Sequence, residues 1–158
     1  MLSHVDPANR PTMVDVGAKA VTQRRATARA VVVFPDDTIG ESGEELRTKK
    51  GPVFDTAIIA GVMAVKRTSE LIPFCHPIPV ENCKIDIRWD GPAEVVIECS
   101  VQATHKTGVE MEALTGATVA ALTVYDMCKA LSLNIRIRDV ELVAKSGGKR
   151  DFDSQARR

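Results

Sequence analysis

Aromatic side chains are scarce in this chain: one Trp, one Tyr and four Phe among 158 residues. So few rings, with no aromatic run in any strand-like segment, argue against a stacking platform of the kind single-stranded nucleic acids need. Net charge is missing too, because 21 Lys and Arg balance 21 Asp and Glu. No overall field therefore draws the chain to nucleic acid or to an anionic membrane. No apolar run approaches the ~20 residues that span a bilayer, and the opening MLSHVDPANRPT lacks the apolar stretch of a secretory signal. A cytoplasmic protein is expected. Cys75, Cys83, Cys99 and Cys128 form no C-x-x-C pair, so the usual zinc and redox signatures are absent and ordinary reduced thiols are expected. Neither G-x-x-x-x-G-K-[ST] nor G-x-G-x-x-G occurs, which argues against ordinary P-loop and dinucleotide enzymes.

What remains is strongly patterned. Residues 24–33 alternate, with Ala26, Ala28, Ala30 and Val32 on one face and Arg25, Thr27 and Arg29 on the other, as in a half-buried strand. Residues 36–50 are polar and loop-like, with a short helical turn expected around residues 44–47. From 53 to 72, Phe54, Ala57, Ile58, Gly61, Ala64, Val65, Thr68 and Leu71 recur at helical spacing, and Pro73 ends the helix. Cys83, Ile85, Ile87 and Trp89 alternate up to the turn Asp90-Gly91-Pro92, and a second alternating run follows to Val101, predicting an antiparallel hairpin. A second helix is expected over 109–131, burying Met111, Leu114, Thr118, Ala121, Leu122, Tyr125 and Cys128. A last strand is expected over 134–144, with a bulge near Asp139 where the inward parity shifts.

Strand, helix, strand, strand, helix, strand is the order of an α+β, ferredoxin-like (split βαβ) fold, with both helices on one face of an antiparallel sheet. A chain of this length makes one domain. Its body is assigned to residues 13–149, flanked by a mobile N-terminal segment (1–12) and a mobile, basic C-terminal tail (150–158).

Each element reverses direction in this topology, so the ionisable residues sort into two ends. Lys49 and Lys50 enter the first helix where Asp126 and Lys129 finish the second. His76, Glu110, Glu112 and the run Lys145-Ser-Gly-Gly-Lys149 gather at the opposite end. Glu112 and Asp126 are 14 residues apart on one helix, about 21 Å at 1.5 Å per residue, so one small site in one chain cannot hold both clusters. Two antiparallel copies could bring the ends together.

Each motif also has a bland reading. Acids in a first helical turn, such as Glu110 and Glu112, interact favourably with the helix dipole. Yet Glu110 falls near the apolar stripe, where a carboxylate needs a cation or a raised pKa. His76 lies in a proline-stiffened loop and is an ordinary structural histidine unless the rigid backbone holds it for a ligand. The glycines between Lys145 and Lys149 expose backbone N–H groups that could cradle phosphate oxygens, or simply end the fold flexibly. Asp126 and Lys129 make an ordinary i,i+3 pair. Together the set suits a small polyanion handled by general acid–base groups.

The runs KRT (66–68), IPFCHP (72–77), KTGVEMEALT (106–115), YDMCKA (125–130) and KSGGK (145–149) closely resemble the cyclic pyranopterin monophosphate synthase (MoaC) family of molybdenum cofactor biosynthesis. The resemblance implies a lyase that rearranges 3′,8-cyclo-7,8-dihydro-GTP to cyclic pyranopterin monophosphate and releases pyrophosphate, without an organic cofactor. It implies a ferredoxin-like fold, a hexamer built as a trimer of dimers, and sites between subunits. It maps Asp126 to a catalytic acid/base with Lys129 beside it. Lys50 and Lys145 match functional lysines, Phe74, Cys75, His76, Met111 and Glu112 match substrate contacts, and Glu110 matches a further site position. Lys149 joins this set through the phosphate-cradle reading. No protein metal site is expected, and any Mg²⁺ would arrive with the substrate's triphosphate. Pro52, Phe74 and His105 depart from the family pattern. The alternative from another class is a non-catalytic nucleotide- or RNA-binding module on the same fold.

Overall fold

A computed structural model describes residues 5–35 and 45–154. The backbone of the fold is β1 (Thr22–Val33), α1 (Val53–Lys66), β4 (Asn82–Trp89), β5 (Glu94–His105), α3 (Glu110–Cys128) and β6 (Arg136–Ser146). Three small strands, β2 (Arg47–Thr48), β3 (Gly51–Pro52) and β7 (Phe152–Asp153), and one helical turn, α2 (Thr68–Leu71), complete it. The sheet runs β4-β5-β1-β6-β7, and each neighbouring pair is antiparallel. The long elements thus follow the expected β-α-β-β-α-β order.

Alternation in β1 works as read: Ala26, Ala28, Ala30 and Val32 are buried, and Ile97, Cys99 and Val101 of β5 join them under the helices. The opposite face is held by polar pairs between strands, Thr27 with Ser100 and Arg29 with Glu141. The anticipated bulge is present. Arg29 faces Glu141 while Val31 faces Arg138, so Ala30 opposes both Asp139 and Val140, and Asp139 takes a positive φ of 52° that Asp tolerates better than most residues.

Three features differ from the sequence reading. The long first helix breaks at Arg67, whose φ of −108° and ψ of 11° are not helical, leaving α2 as a separate turn before Pro73. The short helical turn expected near residues 44–47 is instead the start of a small hairpin, β2–β3, with Glu44 outside the described residues. Most consequential is α3. The buried face carries Glu112, Ala113, Gly116, Ala117, Ala120, Ala121, Val124, Met127 and Cys128, whereas Met111 and Leu122 are exposed.

The reason is crowding. A Cβ on Gly116 would lie 2.6 Å from Cys99 Sγ and Val65 Cγ2, and one on Gly61 would lie 3.0 Å from the Gly116 carbonyl. The two helices and the sheet approach so closely that only small residues fit between them, and the bulkier apolar side chains are turned outward.

At the C-terminus, Phe152–Asp153 pairs with Ala144 and Lys145, and Ser154 N–H donates to the Val143 carbonyl at 2.8 Å. Part of the segment expected as a tail therefore adds a fifth strand to the sheet. At the other end, Val5 and Pro11 form an isolated bridge.

Candidate functional site

Two polar centres occupy opposite ends of α3. At its C-terminal end, Asp126 accepts hydrogen bonds from Lys50 Nζ and Lys129 Nζ, each at 2.7 Å. Lys50 also donates to the Asp126 backbone carbonyl at 2.9 Å. Lys50 reaches this point because the β2–β3 turn aims it there: Gly51, at φ 112°, closes the turn, and Thr48 Oγ1 accepts from the Lys50 N–H. Hydrogen bonds from Lys129 and then Lys50 hold the Asp126 carboxyl down at about 2, so it is anionic throughout the neutral range. Both lysines and the aspartate are about half exposed. The cluster therefore adds little stability and keeps its charges open to a ligand.

At the N-terminal end lies a cleft of about 830 Å³. Phe74, Cys75, His76, Glu110, Met111, Lys145 and Lys149 all line it. Glu110 and Lys145 are ion-paired at 2.7 Å, each about 30% exposed. The turn that carries Lys145 to Lys149 is fixed by Gly147, at φ 83°, packed so tightly that a Cβ there would lie 1.8 Å from the Gln23 carbonyl oxygen. Thr22 Oγ1 donates to the Gly147 carbonyl at 2.7 Å, and the Gly147 N–H donates to Asp151 Oδ1 at 3.1 Å.

Glu112 differs from the other candidates. It does not line the cleft. It lies beneath the wall, 2% exposed, with Oε1 accepting from the Cys75 thiol at 3.6 Å. Burial pushes its carboxyl above the ordinary glutamate value. Hydrogen bonds from the Glu112 backbone N–H and the Cys75 thiol favour the anion, but burial outweighs them and the Glu110 charge adds to it. The Cys75 thiol is pushed up to about 11, first by its own burial and next by the Glu112 carboxyl. The expectation that Glu110 is the acid nearer the apolar stripe is corrected: Glu112 holds that place.

The cleft also contains cations that the sequence reading passed over, among them Lys19, Arg24 and Lys106. Arg24 donates from Nε and Nη2 to the carbonyls of His105 and Lys106, and Lys106 Nζ donates to the Gly17 carbonyl at 2.7 Å. The signal was available. The first strand starts, and the second helix is entered, at the same end of the fold as Lys145, so topology alone places Arg24 and Lys106 beside it.

Asp126 and the cleft do not meet within the chain, since α3 holds Glu112 and Asp126 about 21 Å apart. No group of His, Cys, Asp and Glu suited to a metal ion occurs among the described residues. Nor, among them, is any helix long and apolar enough to cross a membrane.

Fold and site together define an α+β protein with a cleft lined by lysines and arginines at one end of α3 and a separate lysine–aspartate–lysine cluster at the other. The chain belongs to the MoaC family, whose model matches residues 13–148. A cyclic pyranopterin monophosphate synthase of Xanthomonas oryzae pv. oryzae is 57% identical over 152 residues, covering 96% of this chain and 92% of that protein. A Listeria monocytogenes protein of the same description is 47% identical, over 94% of this chain and 92% of its own length. A molybdenum cofactor biosynthesis bifunctional protein of Synechocystis is 48% identical over 96% of this chain, which matches 45% of that longer protein.

Proposed function

We propose that the chain is a lyase of molybdenum cofactor biosynthesis that converts 3′,8-cyclo-7,8-dihydro-GTP to cyclic pyranopterin monophosphate and pyrophosphate. The observation that carries the reading is that Lys50, 76 residues from Asp126 in sequence, joins Asp126 and Lys129 in one hydrogen-bonded and solvent-accessible cluster. The reaction opens the five-membered purine ring and closes the pterin ring, steps that need protons removed and delivered in sequence. An anionic carboxylate between two ammonium groups supplies both an acceptor and donors. A ribose-derived hydroxyl then attacks the innermost phosphate, and cleft cations such as Lys145 and Lys149 offset the charge on the departing pyrophosphate. Any Mg²⁺ would accompany that phosphate chain as part of the substrate.

The complete site is shared between two copies of the chain, with the cleft of one facing the Lys50–Asp126–Lys129 cluster of the other. Support comes from the separation of the two centres and from the apolar side chains left outward on both helices: Ile59 is 62% exposed, Met63 47% and Leu122 52%. A hexamer arranged as a trimer of dimers satisfies both, and a cytoplasmic location goes with a nucleotide-derived substrate. The RNA-binding alternative loses further ground because Trp89 packs against Phe34 and Phe54, both centroid distances being 5.8 Å, so these rings serve the core rather than a stacking surface.

The decisive test incubates the purified protein with 3′,8-cyclo-7,8-dihydro-GTP and follows pyrophosphate and the pterin product together, with Asp126→Asn alongside. Equal yields of both products, lowered by roughly 10²-fold or more in the variant, are expected. Nucleotide binding without either product would sink the reading.

A further inference from the structure

The segment after Lys149 looks like a tail in sequence, yet it folds back onto the turn that ends β6. Phe152 pairs with Lys145 and Asp153 with Ala144, and the Ser154 N–H donates to the Val143 carbonyl at 2.8 Å. Between strand and turn, Asp151 Oδ1 accepts from the Gly147 N–H at 3.1 Å. That bond closes residues 147–151 into a ring, the local side-chain-to-backbone arrangement by which an aspartate fixes a turn. Gly147 is thus gripped on both sides, because its carbonyl accepts from Thr22 Oγ1 at 2.7 Å. Gly148 lies against Arg24, whose Nη1 would be 2.8 Å from a Cβ placed there. Two consecutive glycines would otherwise leave this turn more conformational freedom than any other pair of residues.

The two sides of the turn face different spaces. Lys145, Gly148 and Lys149 line the 830 Å³ cleft, whereas Asp151 and Phe152 border a separate hollow of about 440 Å³. Asp151 therefore touches the turn without entering the cleft, where its charge would oppose an anion. We propose that Asp151 is a positioning residue: from outside the cleft it holds the Lys145–Lys149 turn in the shape that presents both lysines to phosphate oxygens, and β7 anchors it there. The segment after Lys149 is then part of the anion site. Fixing the turn before the ligand arrives removes an ordering cost from binding. That the anion is the substrate's phosphate chain rests on the lyase reading; the positioning of the turn does not.

The test uses full-length protein and pyrophosphate as the probe, followed by titration calorimetry. Asp151→Ala removes the acceptor and should raise the pyrophosphate Kd roughly five- to tenfold, the value of one lost hydrogen bond. Asp151→Asn keeps an oxygen for the Gly147 N–H and should restore the Kd to within about twofold of wild type. A wild-type protein that does not bind pyrophosphate overturns the proposal, as do equal Kd values in all three proteins. Equal weakening by both substitutions, or tighter binding by both, means that only the charge of Asp151 matters and overturns it too. Ser154→Pro, which deletes the N–H that ties the strand to Val143, should weaken binding in the same direction as Asp151→Ala; an unchanged Kd removes β7 from the site. In turnover of 3′,8-cyclo-7,8-dihydro-GTP, Asp151→Ala should raise KM and leave kcat within about twofold, and a fall in kcat at constant KM overturns the proposal. The expected binding pattern in a protein that turns over no substrate upholds the positioning role and sinks the lyase reading instead.

Discussion

Burial of a carboxyl couples its protonation to folding, and at Glu112 the sign of that coupling can be worked out. The folded-state value lies above the ordinary one, so the native protein holds a proton at pH values where the unfolded chain has released it. Stability is then greatest below the ordinary glutamate value and declines as pH rises through the raised one. Glu112→Gln cannot ionise and escapes this decline. Thermal unfolding of the two proteins between about pH 5 and pH 8 should show the variant gaining on wild type as pH rises; a constant or shrinking difference would contradict the burial account. Asp126 has the opposite sign, its value lowered to about 2, so its contribution is present above the ordinary aspartate value and lost as pH falls towards 2. Its exposure keeps that contribution small. Gly147 makes a steric prediction. Gly147→Ala places a side chain at φ 83° and 1.8 Å from a backbone oxygen, where no flexible group can yield. The turn must move, so a fall in Tm of several degrees and a weaker grip on anions, from displaced Lys145 and Lys149, are expected by scanning calorimetry and pyrophosphate titration. An unchanged Tm would show that the turn is not built as described.

The elements were legible to different degrees, for physical reasons. Strands announced themselves, because alternation in β1 and β4 reflects a sheet with one covered and one open face, and the parity shift near Asp139 located a bulge. Helix α3 was found, with Ala121 and Cys128 rightly placed inside and Leu114 and Tyr125 packed against the core, but Met111 and Leu122 were wrongly assigned to its buried face. Counting large apolar residues selects Met111, Leu114 and Leu122, whereas the contact plane is set by how near α1 and β5 come, which the sequence records only as Gly61, Gly116 and a run of alanines. The same error explains Glu112: a charged residue on the buried face looks wrong until the face is known. The short strand β7 left no signal, since two residues carry no period. Crowding at this plane can be tested. Gly116→Val adds a side chain where even a Cβ meets Cys99 and Val65 at 2.6 Å, and overpacking of this kind costs about 1–3 kcal/mol. At ~2–4 °C per kcal/mol for a chain of this size, Tm should drop by roughly 2–12 °C. Leu122→Ala, on the outer face, should leave the stability of the isolated fold nearly unchanged, and equal losses from both substitutions would reverse the assignment of faces.

For the whole molecule, the division of ionisable residues between two ends could be read from topology alone, because alternating element directions fix which termini are neighbours. That division makes a demand on assembly. If the cleft and the Lys50–Asp126–Lys129 cluster act on one substrate, they come from different copies of the chain, since within one copy α3 holds them about 21 Å apart. An Asp126→Asn protein keeps its cleft intact, and a His76→Ala protein keeps its aspartate cluster intact; each assembly alone should be nearly inactive. When the two are unfolded, mixed in equal amounts and refolded together, random pairing unites a sound cleft with a sound cluster at one site in four. About a quarter of wild-type activity should therefore return for an isologous two-fold contact, while the other sites carry one or both lesions. Native mass spectrometry establishes that mixed oligomers have formed. Activity that stays at the level of the parents in such oligomers would place the whole reaction within single chains, and the cleft and the aspartate cluster would then have to serve separate ligands.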